Sequence, residues 1–398
     1  MRLLKFFAVF LVTAILILGF VLGWNWKSFS IFIENREALS EGNEWIIKTS
    51  SLRGLSEFMG ENPQYTSVVS IVADHPDSSI HYNPAKPRVM GTTANIFVLA
   101  AYSLLFDRDD FSPETPIRWS DVSQYQLPDV DGSVHRGSFR TGTDRGWIND
   151  GELTLHNALR LLAETSDLAL ADYLWWKIDP EIWDLLKTDL QLESTEMPLP
   201  FSGLYLAISP EIQNRSVPEI IEYWQTAPES DWREHVTEQS RIFAEDSVRR
   251  EEILNYMNRN RLGNTFIEER NAMILFPKTT AEEITGMLQR LIEHEIINEN
   301  ISQTLMDYMR WPMERQPGIE RDFLDYAAIY DNRMGLMNGI DFGTSAYTGD
   351  TTVQAFFLDR LPIGFWFHAS GGHMHQDFMQ RLIYDPALIA QMKQVIQQ

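Results

Sequence analysis

The sequence predicts an α+β fold, with one antiparallel sheet built from strands near both ends of the chain and flanked by helices, most of which form a subdomain of their own. Three observations carry this expectation. Tyr65–Ala73 is rich in β-branched residues, and the turn after it leads into a short return segment, Ser78–Asn83, which together read as a hairpin. Towards the other end the hydrophobic period moves to two in Asp325–Asp331, Ile340–Tyr347, Thr351–Leu358 and Gly364–Ala369, four consecutive strand candidates. Between these groups the apolar residues recur at helical spacing, so strands far apart in sequence must share a sheet.

The chain is organised around residues 88–106. Gly91-Thr92-Thr93 forms a small-residue corner, and the run to Phe106 is almost wholly apolar. Either threonine can cap a helix start by accepting a free backbone N–H. A helix apolar on all sides is a buried one. A hydroxyl in its first turn sits where the helix N-terminus favours developing negative charge. The same pattern fits a capped core helix and a nucleophile, and the local residues leave both open.

The remaining elements follow in order. Arg2 and Lys5 precede an uncharged apolar run from Phe6 to Gly23, long enough to span a bilayer, and Trp24 and Trp26 suit its interface. The expectation is an uncleaved signal anchor over residues 1–27 in the inner membrane, with the domain in the periplasm or outside the cell. A processed signal peptide is the alternative. Residues 28–60 read as a helical lead-in, and 61–398 as the domain. Pro113, Pro116, Pro128 and the Asp129–Gly132 turn mark a long connection. Leu153–Ala163 returns to helical spacing, with a turn near Ser166. Leu190–Ser209 reads as a loop carrying an apolar piece, Phe201–Ala207. Residues 210–276 are polar and helical, an insertion on the outside of the domain. Thr279–Ile292 is an amphipathic helix with a threonine–glutamate start signal, Ser302–Met309 a shorter one, and a last helix begins near Asp377.

Composition narrows the function. The net charge is 33 − 56 = −23, which repels polyanions and argues against nucleic-acid binding. With no cysteine, disulfides, thiolate catalysis and Cys-based zinc sites are all excluded. His373-Met-His375, with His368 nearby, could offer imidazoles to a metal if it lay on a strand, against the plainer reading of a polar loop. Nothing else in the residues asks for a metal or a cofactor.

The order of elements and three local strings resemble the class A β-lactamases and penicillin-binding proteins, serine acyl hydrolases that use S-x-x-K, S-D-N and K-T-G. The resemblance spans roughly residues 50–395. The first motif falls on Thr92-Thr-Ala-Asn95, the second on Ser166-Asp167-Leu168 and the third on Arg333-Met334-Gly335. It implies Thr92, Asn95 and Ser166 at the catalytic positions, and Asp167, Leu168, Arg333, Met334 and Gly335 at substrate-binding ones. Each motif departs from the family. Thr92 keeps a hydroxyl, but Asn95 cannot accept a proton near neutral pH. Leu168 cannot bond a substrate amide, Arg333 keeps a charge of different shape, and Met334 loses a hydroxyl. Glu196 is a candidate for the deacylating glutamate, although its surroundings do not match. The expected function is a membrane-anchored, extracytoplasmic protein of this fold, catalytically weak or inactive, whose cleft takes a small-molecule or peptidoglycan-like ligand. The rival is an acyl hydrolase using Thr92 as nucleophile and Ser166 as proton relay, with Asp167 or a water as base. A metal-binding protein through His373 and His375 is the third reading.

Overall fold

The computed structural model describes residues 31–396 apart from 32, 50 and 74. The expected anchor over residues 1–27 lies outside the described residues. Among those described, no helix is long and apolar enough to cross a membrane.

Alternation within five strands sets the architecture. β1 (Thr66–Val72) and β2 (Ile80–Tyr82) form the expected hairpin, and β3 (Phe323–Asp331), β4 (Met337–Ser345) and β5 (Thr351–Leu358) supply the rest. The order is β2-β1-β5-β4-β3, antiparallel throughout, with Val69 opposite Ala355 and Ile329 opposite Ile340. Val69, Ala355, Ile340 and Ile329 face a large helical core, whereas Val68, Phe356 and Ala328 face a smaller terminal one. Both faces are therefore covered. Burying a side chain such as Phe356 contributes about 1.5–3 kcal/mol.

Gly364–Ala369, expected as a strand, is instead part of a helix, Ile363–Gly371. Pro362 starts it, and a run apolar on every side carries no period to separate helix from strand. Gly364 lets this helix lie against the lead-in, since a Cβ there would stand 2.5 Å from the Leu39 carbonyl. The C-terminal helices Met374–Tyr384 and Pro386–Ile396 complete that layer.

The helical body centres on α1 (Asn95–Asp107), whose residues Asn95 to Leu105 are all buried. Neither threonine caps it: a 3-10 turn, Gly91–Ala94, precedes the helix, and the Thr93 hydroxyl donates back to the Met90 carbonyl at 2.7 Å. The stretch expected as a long connection contains α2 (Pro128–Asp144). Pro128 at the first helical position and two aspartates in the first turn are a helix start, which the Asp-Val-Asp-Gly string disguised as a turn. α3 (Leu155–Thr165) is capped by Thr154, and α4 (Leu168–Trp175) by Asp167. The apolar piece expected inside a loop is a buried helix, Phe201–Ala207.

Residues 210–276 fold into further helices, and they do more than cover the exterior. Trp232, Val236, Phe243, Ile253 and Met257 join the main core. The lead-in, with a helix at Leu52–Glu61, is bonded into the body as well. Asn35 Oδ1 accepts the Phe266 N–H at 2.6 Å, and Glu41 Oε2 holds Arg270 Nη1 at 2.5 Å and the Ile363 N–H at 3.1 Å.

Candidate active site

The end of β3 positions the site. Tyr326, Ala328 and Tyr330 face the terminal layer and Ala327 and Ile329 the helical core, so Asp331 turns towards the start of α1. There its Oδ2 accepts the Thr92 N–H at 3.0 Å, and its Oδ1 accepts the Arg333 N–H at 3.1 Å. Gly91 makes this approach possible. Its φ is +55°, and a Cβ would overlap the Asp331 carboxylate.

Thr92 and Ser166 converge on one acceptor. Thr92 Oγ1 donates to the Tyr330 carbonyl at 3.5 Å and Ser166 Oγ donates to the same oxygen at 3.4 Å, both long bonds. Ser166 holds a left-handed conformation, φ 51°, in the corner between α3 and α4.

Arg333 is enclosed by oxygen. Its Nη2 donates to the Ser166 carbonyl at 2.9 Å and lies 2.9 Å from Asp131 Oδ1, a close ion pair without hydrogen-bond alignment, while Nε is 3.9 Å from Asp331 Oδ1. Burial works against the Arg333 charge, yet these carboxylates hold its pKa above the ordinary value. Asp131 comes from α2, and its Oδ2 accepts the Leu168 N–H at 2.9 Å. Burial raises the carboxyls of Asp131 and Asp331, with Arg333 opposing in both.

Thr92, Ser166, Tyr330, Asp331 and Arg333 line a cleft of about 330 Å³ together with Met334, Tyr205, Trp311 and Trp366, while Asp131 is buried outside the lining. Arg261 and Glu269 reach it from the 210–276 segment, paired at 3.3 Å. Glu164 lines it too, paired with Arg145 at 3.0 Å and with Arg315. Every formal charge in the lining thus already has an opposite partner.

The other sequence candidates lie elsewhere. Asn95 is buried and does not line the cleft, its Nδ2 without a hydrogen-bond partner among the described residues. Asp167 is fully buried, its Oδ1 accepting the N–H groups of Ala169 and Leu170 at 3.0 and 3.2 Å and its Oδ2 facing His135 Nδ1 at 2.9 Å. Burial pushes its carboxyl up, but the His135 contact and the backbone bond bring it below the usual range. Leu168 is core, and Gly335, at φ +71°, packs where a Cβ would stand 2.6 Å from Arg270 Cγ. Glu196 exchanges backbone and carboxylate bonds with Lys278, away from Thr92. His375 is fully buried against Tyr330 while His373 is exposed, so the two imidazoles do not share a face. Burial drops His375 to about 3. No group of three or more potential ligands for a metal occurs among the described residues.

Asp131, Asp331, Glu164, Arg261 and Glu269 were missed by sequence reasoning. One signal was present: Asp331 and Glu164 are charges closing strongly apolar runs.

No protein-family model and no curated protein matches the sequence. Solved structures do match. The β-lactamase from Sphaerobacter thermophilus DSM 20745 shares 13% identity over 83% of this chain and 97% of its own, with a TM-score of 0.50. The chain has a β-lactamase-like fold. A β-lactamase from Chitinophaga pinensis DSM 2588 is also similar, at 12% identity, 84% and 99% coverage and a TM-score of 0.49. At such identities the likeness concerns the fold, and the chemistry has to be read from this chain's own atoms.

Three contacts bear on acyl transfer. An attacking Thr92 hydroxyl would generate an oxyanion near its own backbone N–H, the donor that normally stabilises such charge. Here a carboxylate already occupies that donor. Arg333, bound to Asp131, is not free for a substrate carboxylate. Asp167 does not reach the cleft as a base.

Proposed function

We propose that this is a non-catalytic protein of the β-lactamase fold that binds an uncharged, polar ligand in the cleft beside Thr92. The observation that carries it is the Asp331 carboxylate on the Thr92 N–H. Negative charge developing there would meet a fixed negative charge. Asn95 leaves the hydroxyl without the neighbouring base a weak nucleophile needs. Because the charges of the lining are paired, carboxylated β-lactams fit poorly. Tyr205, Trp311 and Trp366 offer aromatic surface to a neutral ligand such as a peptidoglycan-like saccharide. The proposed address is the outer side of the inner membrane, with residues 1–27 as anchor. Fractionation of expressing cells and N-terminal sequencing of the protein test that address, and a soluble, processed chain would refute it.

The chemical test is incubation with a labelled penicillin, read by intact mass. No adduct is expected. An adduct that disappears in Thr92→Ala overturns the proposal. One observation favours that rival: burial raises the Asp331 carboxyl while it bonds Thr92, as a general base would require. In that case Asp331→Asn abolishes the adduct as well.

A further inference from the structure

A second cavity, of about 970 Å³, shares no lining residue with the Thr92 cleft. It is lined by the helices Pro180–Asp189 and Glu229–Glu245 and by Trp175, Trp176 and Trp183 at and beyond the end of α4. The rings of Trp175 and Trp183 stack with centroids 6.2 Å apart and an 18° angle. The indole N–H of Trp175 donates to the Pro198 carbonyl at 3.1 Å and that of Trp176 to Ser240 Oγ at 3.0 Å. With those donors used inside the protein, the tryptophans present ring carbon and its negative quadrupole face.

The charge here is arranged unlike that of the cleft. Seven carboxylates line the cavity, Asp231 and Glu234 among them, against two formal cations, Lys187 and Arg233. Of the seven, only Glu238 has an ion pair among the described residues, with Arg241 at 2.7 Å. An adjoining cavity of about 450 Å³ shares Glu196 and Glu229 with it and is lined by Trp232. Trp232, 7% exposed, packs into the main core from that wall.

We infer that this groove binds an organic cation, a protonated amine on an apolar stem, the chemistry of a lysyl side chain. The ammonium lies over the tryptophan faces within the ring of carboxylates, where cation–π attraction and charge act together.

Titration of the full chain with acetyl-lysyl-alanine amide at physiological salt, followed by tryptophan fluorescence and calorimetry, tests this. Saturable one-to-one binding is expected, at least tenfold weaker for the peptide acetylated on its side-chain amine. Asp231→Asn with Glu234→Gln, both on the exposed rim, weakens binding at least fivefold without disturbing the fold, and Trp175→Leu weakens it further. Absence of saturation, equal affinity for the acetylated peptide, or affinity unchanged in the rim variant overturns the inference. The last result identifies general attraction to a chain of net charge −23.

Discussion

Replacing Arg333 by methionine keeps much of the side chain's volume and removes the cation that two buried carboxylates share. Nη2 is 2.9 Å from Asp131 Oδ1 and Nε is 3.9 Å from Asp331 Oδ1. At an effective dielectric of about 20, these separations correspond to attractions of roughly 6 and 4 kcal/mol. Much of that sum is offset, because a buried guanidinium no longer has to be desolvated and the freed carboxyls take up protons. Breaking a buried pair by removing one partner costs about 3–5 kcal/mol net, the loss expected for Arg333→Met at pH 8. The sign with pH follows from the same groups. Without Arg333 the folded-state pKa values of Asp131 and Asp331, already raised by burial, rise further. A carboxyl with a raised folded pKa is least destabilising below its unfolded value and most destabilising above its folded one. The deficit therefore shrinks towards pH 5, by about 1.4 kcal/mol for each unit of additional shift. Urea unfolding followed by tryptophan fluorescence at both pH values measures it. A loss below 1 kcal/mol, or one equal at pH 5 and pH 8, would show that Arg333 is not the neutralising partner described.

Three further outcomes are expected. Thr92→Ser with Asn95→Lys restores a serine and a lysine to the first motif, yet it stays unlabelled by penicillin while Asp331 holds the residue-92 N–H; labelling of that double variant would show that Asp331 is no obstacle. Gly91→Ala forces a positive φ and a clash with Asp331, so thermal unfolding should report a loss of about 1–3 kcal/mol, and an unchanged midpoint would contradict the geometry. Asp341, fully buried with one oxygen accepting from Tyr326 at 2.8 Å, is pushed up to about 7 by burial. Its raised pKa means stability falls as pH rises from about 4 through 7, and Asp341→Asn should flatten that slope and gain a few kcal/mol at pH 8; parallel stability curves for the two proteins would count against it.

The sheet was legible because strands with a strong β-branched or apolar period kept it in three dimensions, as Thr351–Thr352 through Leu358 did to the residue. The central helix was legible because the ten residues from Ile96 to Leu105 are apolar or small and buried in every direction. What failed was local ambiguity. Asp129-Val-Asp-Gly132 supports a turn and a helix start equally, and Gly364–Ala369 has no polar residue before His368 to reveal its period. The motif positions brought Thr92, Ser166, Arg333 and Met334 into one cleft. The groups that decide its chemistry were hidden, since Asp331 meets Thr92 across 239 positions and Asp131 meets Arg333 across the body. Nothing local distinguishes those aspartates from solvated ones.

The bonds of Asn35 and Glu41 have a practical consequence. Phe266 and Arg270 belong to the helix that carries Glu269 into the cleft, and Ile363 begins the helix that carries Trp366 there. The lead-in therefore braces two walls of the cleft from behind, as a buttress and not as a slack tether. A recombinant protein trimmed to start at the hairpin would keep every motif residue and lose that brace. Its ligand measurements would describe a loosened cleft, so expression boundaries belong before residue 35.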